Sequence, residues 1–134
     1  MSRFTTEMVD YLKVFAFKFA MTITSNPKPN RRQAITLISE IFSETETQSY
    51  FWVAEPHKQS GYHIHALFNN EDPAFVKKKA IKKSKGGRLD FGPIRDQEAC
   101  LRYTLKNIEN SKVSYRDHTM KLPELPDYDC SEWY

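Results

Sequence analysis

Two histidines stand two positions apart in an otherwise apolar run, GYHIHALF, at positions 61–68. In a β-strand, residues i and i+2 point to the same face of the sheet, so His63 and His65 would lie side by side. Imidazole is the commonest side-chain ligand for a divalent metal ion. The pair therefore predicts a metal site built on a strand. The alternative is a pair of histidines on the polar face of a half-buried strand, with no ligand.

A carboxylate precedes this pair at the end of a second strand-like segment, YFWVAE, which closes with Glu55. The residues that follow Glu55 include proline, serine and glycine, the composition of a hairpin loop. A hairpin would carry Glu55 back beside His63 and His65. Two imidazoles and one carboxylate leave coordination positions open, which suits Mn²⁺ or Mg²⁺ bound together with a phosphate oxygen. His57 is a possible fourth group, but its loop position favours a solvated side chain.

The elements that position these residues follow from periodicity in the 134-residue chain. Alternation predicts a long strand from Val14 to Thr24, with Phe15, Phe17, Phe19, Met21 and Ile23 on one side. Helical spacing predicts an amphipathic helix from Arg31 to Phe42. Asp72 and Pro73 have the N-cap and first-position chemistry of a helix that runs to about Ser84 and buries Phe75, Val76, Ala80 and Ile81. A short strand at 88–91 and a helix from Asp96 to about Asn107 complete the order.

This order, with a hairpin at its centre, predicts an α+β domain. We expect a largely antiparallel central sheet of about five strands, ferredoxin- or RRM-like, flanked by helices and carrying the metal site. The domain would span residues 1–110. The acidic segment 111–134 would be a covering or disordered tail.

The formal net charge is only +3, but the positive charge is concentrated in one block. That block consists of Lys77, Lys78, Lys79, Lys82, Lys83, Lys85 and Arg88. Such a run is usually a solvated helix face, yet beside a metal site it also fits contacts with a phosphate backbone. An exposed aromatic residue such as Tyr62 or Trp52 would be able to stack on a base.

Several classes of protein are disfavoured. Two cysteines argue against a disulfide framework, and there is neither the Cys/His clustering of a structural zinc protein nor a P-loop motif. No signal peptide and no apolar run long enough to span a bilayer is evident. We therefore expect an intracellular protein with no membrane partner and no nucleotide-driven motor of its own.

The last predicted helix contains Tyr103-Thr104-Leu105-Lys106. Residues three apart share a helix face, so Tyr103 and Lys106 would lie together. Taken alone, a tyrosine in mid-helix is more often a core or boundary residue than a nucleophile.

Together, these segments resemble the HUH endonucleases, especially the rolling-circle replication initiator (Rep) proteins of plasmids and small circular single-stranded DNA viruses. The segment Phe19–Thr24 (FAMTIT) is similar to the family's first motif. His63-Ile64-His65 is similar to its histidine–hydrophobe–histidine motif, with Glu55 as the upstream acidic ligand. The Tyr103–Lys106 segment is similar to its Tyr-x-x-Lys helix. The likeness covers three motifs, in order, over most of the chain.

The resemblance implies an origin-specific nickase and ligase for single-stranded DNA that initiates rolling-circle replication. Tyr103 would be the nucleophile that forms a covalent 5′-phosphotyrosine, and Lys106 would stabilise its phenolate or position the phosphate. Glu55, His63 and His65 would hold Mn²⁺ or Mg²⁺. The partners would be single-stranded DNA or an origin hairpin, and a host or replicon helicase and polymerase. The location would be the cytoplasm of a prokaryote or the nucleus of a eukaryotic host.

Three rival interpretations remain. A single-tyrosine transposase or a relaxase of the same superfamily uses a similar constellation, although transposases typically carry glutamine after the tyrosine where this chain has Lys106. A non-catalytic nucleic-acid-binding module with structural histidines is the alternative from a different class. Products on hairpin and transposon-end DNA would separate the replication initiator from the transposase or relaxase, and a covalent DNA adduct would exclude the binding module.

Overall fold

A computed structural model of the chain describes residues 3–47, 49–56, 61–110 and 120–121. The helices and strands are, in chain order, α1 (Arg3–Leu12), a short 3₁₀ helix (Lys13–Phe15), β1 (Phe19–Thr24), α2 (Arg31–Glu44), β2 (Ser49–Pro56), β3 (Tyr62–Asn69), α3 (Pro73–Lys83), β4 (Arg88–Pro93), α4 (Gln97–Asn110) and β5 (Met120–Lys121).

The strands form one open sheet in the order β4-β1-β3-β2-β5, and every neighbouring pair is antiparallel. The predicted α+β class with an antiparallel sheet is confirmed. Four strands of six to eight residues make up the sheet, whereas the fifth is only a two-residue segment paired with β2. Apart from that segment, the acidic tail predicted at 111–134 lies outside the described residues.

Helices cover both faces of the sheet, and each face has its own apolar cluster. On one face, α1 and α4 pack over Phe51, Val53 and Leu67. On the other, α2 and α3 pack over side chains that include Trp52 and Ile64. Because both faces are covered, the run from Ile64 to Phe68 is buried continuously rather than alternately.

The N-terminal third differs from the sequence prediction. Helix α1 was not expected, and the predicted strand from Val14 begins only at Phe19. The 3₁₀ helix ends at Ala16, whose φ of 48° is left-handed, so the chain turns before it can enter the sheet. Phe15 and Phe17 consequently join the α1/α4 cluster, while Met21 and Ile23 join the opposite one. The alternation therefore spans two elements that bury different faces.

The predicted starts of α3 and α4 are confirmed by their caps. The Asp72 carboxylate accepts a hydrogen bond from the Phe75 amide, and the Asp96 carboxylate accepts one from the Ala99 amide. The predicted burial of α3 is only half right. Val76 and Ala80 are buried, whereas Phe75 and Ile81 are 39% and 53% exposed, because α3 presents a narrow stripe to the sheet.

None of the helices among the described residues is both long enough and apolar enough to cross a bilayer.

Gly87 allows the turn before β4 to approach the end of β1 closely. A Cβ at this position would collide with the carbonyl oxygen of Thr24 and would crowd the Ser25 backbone. By contrast, a Cβ at Gly92, further along β4, would meet nothing within 4 Å. The close approach at Gly87 thus fixes where β1 ends, and Thr24 at that end belongs to the polar site described below.

We predict that Gly87→Ala lowers the free energy of unfolding by about 1–3 kcal/mol, because a methyl group would have to displace backbone atoms. Gly92→Ala, the matched control, should leave stability nearly unchanged. Urea denaturation of both variants measures the difference. Equal stability of the two variants would contradict the close approach.

Candidate active site

The register of the sheet places the two histidines beside polar groups of both neighbouring strands. On β3, His63 lies opposite Glu55 of β2, and His65 lies opposite Thr22 of β1. His65 also lies opposite Val53, which belongs to the α1/α4 cluster. Directly opposed residues share a face of the sheet, so the histidines point to the α1/α4 side.

His65 is the most enclosed of these groups, with only 8% of its surface exposed. Its Nε2 atom lies 2.6 Å from Oε2 of Glu55, and its Nδ1 atom lies 3.1 Å from Oγ1 of Thr22. Both ring nitrogens therefore have polar partners, which a buried imidazole needs to offset the loss of water. These contacts hold the ring in one orientation, with Nε2 towards the carboxylate.

His63 has a similar partner on β1. Its Nδ1 atom lies 2.9 Å from Oγ1 of Thr24, and its ring centroid is 6.5 Å from that of His65. The two threonines, the two histidines and Glu55 form a single cluster, which we call the polar patch. It lies at the end of the sheet where β1 and β2 finish and β3 begins.

Tyr103 of α4 lies over this patch. Its neighbours Leu101, Thr104 and Leu105 are buried, whereas Tyr103 itself is 63% exposed. Its ring and the His65 ring form a T-shaped pair with a centroid distance of 6.3 Å and an interplanar angle of 86°. The buried residues of α4 thereby hold the exposed Tyr103 side chain against the His65 ring.

Other aromatic side chains occupy different environments. Tyr50 stacks on Phe42 at 4.2 Å in the α2/α3 cluster, and burial raises the pKa of its hydroxyl, which makes it a poorer nucleophile. Tyr11 is a buried residue of α1. Trp52 is fully buried, so the expectation that it stacks on a base is wrong. Tyr62 begins β3 and is partly exposed.

The second residue of the tyrosine motif, Lys106, lies one turn after Tyr103 in α4, and its side chain is outside the described part of the structure. His57 likewise lies outside the described residues.

The predicted DNA-binding block divides between the two faces of the protein. Lys77, Lys78, Lys79, Lys82 and Lys83 belong to α3, which packs on the face opposite to the polar patch. Lys77 lies 5.9 Å from the centre of the Phe91 ring on β4, at the open edge of the sheet. Lys85 is exposed in the turn that follows. The lysines therefore lie behind the sheet rather than around the histidines.

Lys83 differs from its neighbours because it is already ion-paired. Its ammonium group lies 2.8 Å from Glu40 and 3.0 Å from Glu44 on α2. Hydrogen bonds to Glu40 and Glu44 raise the pKa of Lys83, and the same contact lowers the pKa of Glu44. These pairs join α2 to α3 and neutralise this lysine.

Arg88 lies on the same face as the histidines. It is opposed to Thr24 across the β1–β4 pair, and its side chain is 77% exposed and bonded to Asp90 at 3.2 Å. A cross-strand row from β4 to β2 thus carries Arg88, Thr24, His63 and Glu55 in turn.

The donor types of the polar patch fit a divalent ion, although the described residues contain no group of three or more His, Cys, Asp or Glu side chains arranged to hold one. Glu55 contacts His65, which lies diagonally from it across the β2–β3 pair. Two ligand atoms at right angles, each about 2.1 Å from a metal, lie about 3 Å apart. The 2.6 Å contact between Glu55 and His65 would need only a small opening to meet that spacing.

The two threonines were not identified as site residues from the sequence. The available signal was the alternation of Ala20, Thr22 and Thr24 along the polar side of β1. Their role depends on β1 pairing with β3, a long-range choice that strand periodicity does not specify.

Comparison of the chain with protein-family models, with curated proteins and with solved structures finds no significant match.

We predict that Glu55→Gln weakens Mn²⁺ binding by about tenfold or more, because an amide is a poorer ligand than a carboxylate for a hard cation. Isothermal titration calorimetry measures the change. Glu98→Gln is the matched control, since Glu98 pairs instead with Lys13 and Arg102. If Glu55→Gln binds Mn²⁺ as tightly as the unaltered protein, Glu55 is not a ligand.

Proposed function

We propose that the protein is a metal-dependent single-stranded DNA endonuclease and strand transferase of the HUH type, which initiates rolling-circle replication by nicking an origin. The observation that carries the proposal is the contact of Tyr103 with His65, which is itself in contact with Glu55. The contact of His65 with Thr22 adds the segment Phe19–Thr24, so side chains from three segments far apart in the chain meet at one point.

In the proposed reaction, the Tyr103 oxygen attacks the phosphorus of the scissile phosphodiester, and the bond from phosphorus to the 3′ oxygen breaks. The tyrosine loses its proton, and the departing 3′ oxygen gains one to become a hydroxyl. The product is a 5′-phosphotyrosine, which conserves the energy of the phosphodiester so that a later 3′ hydroxyl can reverse the step. Lys106, one turn along α4, is the proposed group that stabilises the phenolate.

A tyrosine hydroxyl is a weak nucleophile at neutral pH, so position must provide much of the rate. Helix α4 provides it, because Leu101 and Leu105 are buried and hold the exposed Tyr103 over the sheet. Glu55, His63 and His65 are the proposed ligands of Mn²⁺ or Mg²⁺. A divalent ion bound there would polarise a nonbridging phosphate oxygen and offset the charge that develops in transfer.

The placement of positive charge supports a path for the DNA. Arg88 lies in the row that leads to His63, and the β4 edge beside it brings Lys77 and Phe91 together. A strand that crosses this edge would reach the lysines of α3 behind the sheet. Phosphate contacts of this kind give affinity without reading sequence.

Incubation with labelled single-stranded origin DNA and Mn²⁺ should give a covalent adduct that survives SDS. We predict that Tyr103→Phe lowers its yield by at least about 1,000-fold, since it lacks the nucleophilic oxygen. The matched control Tyr62→Phe should retain adduct formation. An adduct that survives in Tyr103→Phe would assign the nucleophile elsewhere, and no adduct from the unaltered protein on cognate DNA would favour a binding module.

Lysines of α3 that are not paired with a carboxylate should contribute more to the affinity for single-stranded DNA than Lys83, which is paired. In Lys78→Ala/Lys82→Ala, we expect weaker binding of single-stranded DNA and a salt-dependence slope reduced by about 1.4, or about 0.7 for each lost phosphate contact. Lys83→Ala should leave the slope unchanged, because Glu40 and Glu44 already engage Lys83. Fluorescence anisotropy over a salt series measures both. A double variant whose slope equals that of the unaltered protein would remove α3 from the DNA path.

A further inference from the structure

Each histidine of the polar patch meets a threonine hydroxyl at Nδ1. Thr22 lies 3.1 Å from His65, and Thr24 lies 2.9 Å from His63. A hydroxyl group can donate or accept a hydrogen bond, whereas a carboxylate or a backbone carbonyl can only accept. The choice of a hydroxyl therefore leaves the position of the imidazole hydrogen open.

The contacts of His65 determine where that hydrogen lies without a metal. A neutral imidazole carries one N–H, and the Glu55 carboxylate can only accept. The 2.6 Å contact between Glu55 and Nε2 therefore places the hydrogen on Nε2, and Nδ1 accepts from the Thr22 hydroxyl. Ligation through Nε2 needs the opposite arrangement, in which Nε2 offers its lone pair and Nδ1 carries the hydrogen.

We propose that Thr22 is a positioning residue that serves both tautomers of His65. With the metal absent, its hydroxyl donates to Nδ1. If Nε2 were to become a ligand, the hydrogen would lie on Nδ1 and the Thr22 hydroxyl would rotate to accept it, so the ring would keep its orientation. Thr24 makes the corresponding contact with Nδ1 of His63. This inference rests on the proposed metal site.

The proposal separates Thr22 from a residue that merely fills space. Valine has nearly the shape of threonine but cannot pair with Nδ1. It would leave an unpaired acceptor in the metal-free protein and an unpaired N–H in the metal-bound one, and the second loss is larger because ligation to a cation makes the imidazole N–H a stronger donor. Serine keeps the hydroxyl and loses only a methyl group. Valine should thus weaken ligation selectively, and serine should restore it.

Calorimetric titration with Mn²⁺ tests this selectivity. Thr22→Val should bind Mn²⁺ about 10–100-fold more weakly than the unaltered protein, and Thr22→Ser should recover most of the affinity. Thr104→Val is the matched control, because it removes a buried hydroxyl that donates to the Cys100 carbonyl within α4 rather than to a histidine. Its Mn²⁺ affinity should not change.

The ¹⁵N chemical shifts of His65, measured at a pH where the ring is neutral, report its tautomer without any assay of nicking. We expect the hydrogen on Nε2 in the metal-free protein, both unaltered and Thr22→Val, and on Nδ1 after addition of the diamagnetic probe Zn²⁺. A hydrogen on Nδ1 before Zn²⁺ is added, or a Thr22→Val variant that binds Mn²⁺ normally, would overturn the inference alone. If the unaltered protein bound neither Mn²⁺ nor Zn²⁺, both the proposed metal site and this inference would be wrong.

Discussion

The register of the central strand β3 between β1 and β2 is the constraint on which the site depends. Because successive residues of a strand face opposite ways, a slip of one residue would turn His63 and His65 into the α2/α3 cluster and Ile64 towards Tyr103. The observed register is specified by burial: Ile64, Ala66 and Phe68 fill one cluster, while Leu67 enters the other. The same alternation that builds the core therefore aims the two imidazoles.

Around that strand, the protein leaves one end of a sheet face polar and covers the rest. Phe51, Val53 and Leu67 lie beneath α1 and α4, whereas Glu55 and the histidines continue the same face beyond them. Tyr103 lies at the boundary, because its ring meets His65 while Leu101 and Leu105 of the same helix are buried in the α1/α4 cluster. An apolar support on one side and an exposed tyrosine side chain on the other suit a positioned nucleophile.

Local signals in the sequence were sufficient for the α+β class, the central hairpin and the caps of α3 and α4. They were insufficient where one pattern crossed two elements. The alternation from Phe15 to Ile23 begins in a 3₁₀ helix, passes left-handed Ala16 and continues into β1, so the true start of the strand was missed. Helix α1 was missed as well. Glu55 and His65 were expected to be neighbours because a hairpin joins them. Thr22 and Thr24 were not recognised, because their partners lie about forty residues away in a strand pairing that periodicity cannot specify.

The central claim is that Tyr103, held against His65, is the group that becomes joined to DNA. Mass spectrometry of the tryptic peptides from the protein after reaction with single-stranded origin DNA and Mn²⁺ tests it directly, because it identifies the residue that carries the nucleotide. The account predicts a phosphodiester-linked nucleotide on the peptide that contains Tyr103, attached through its 5′ phosphate. A nucleotide on a different residue, or one attached through its 3′ end, would contradict it.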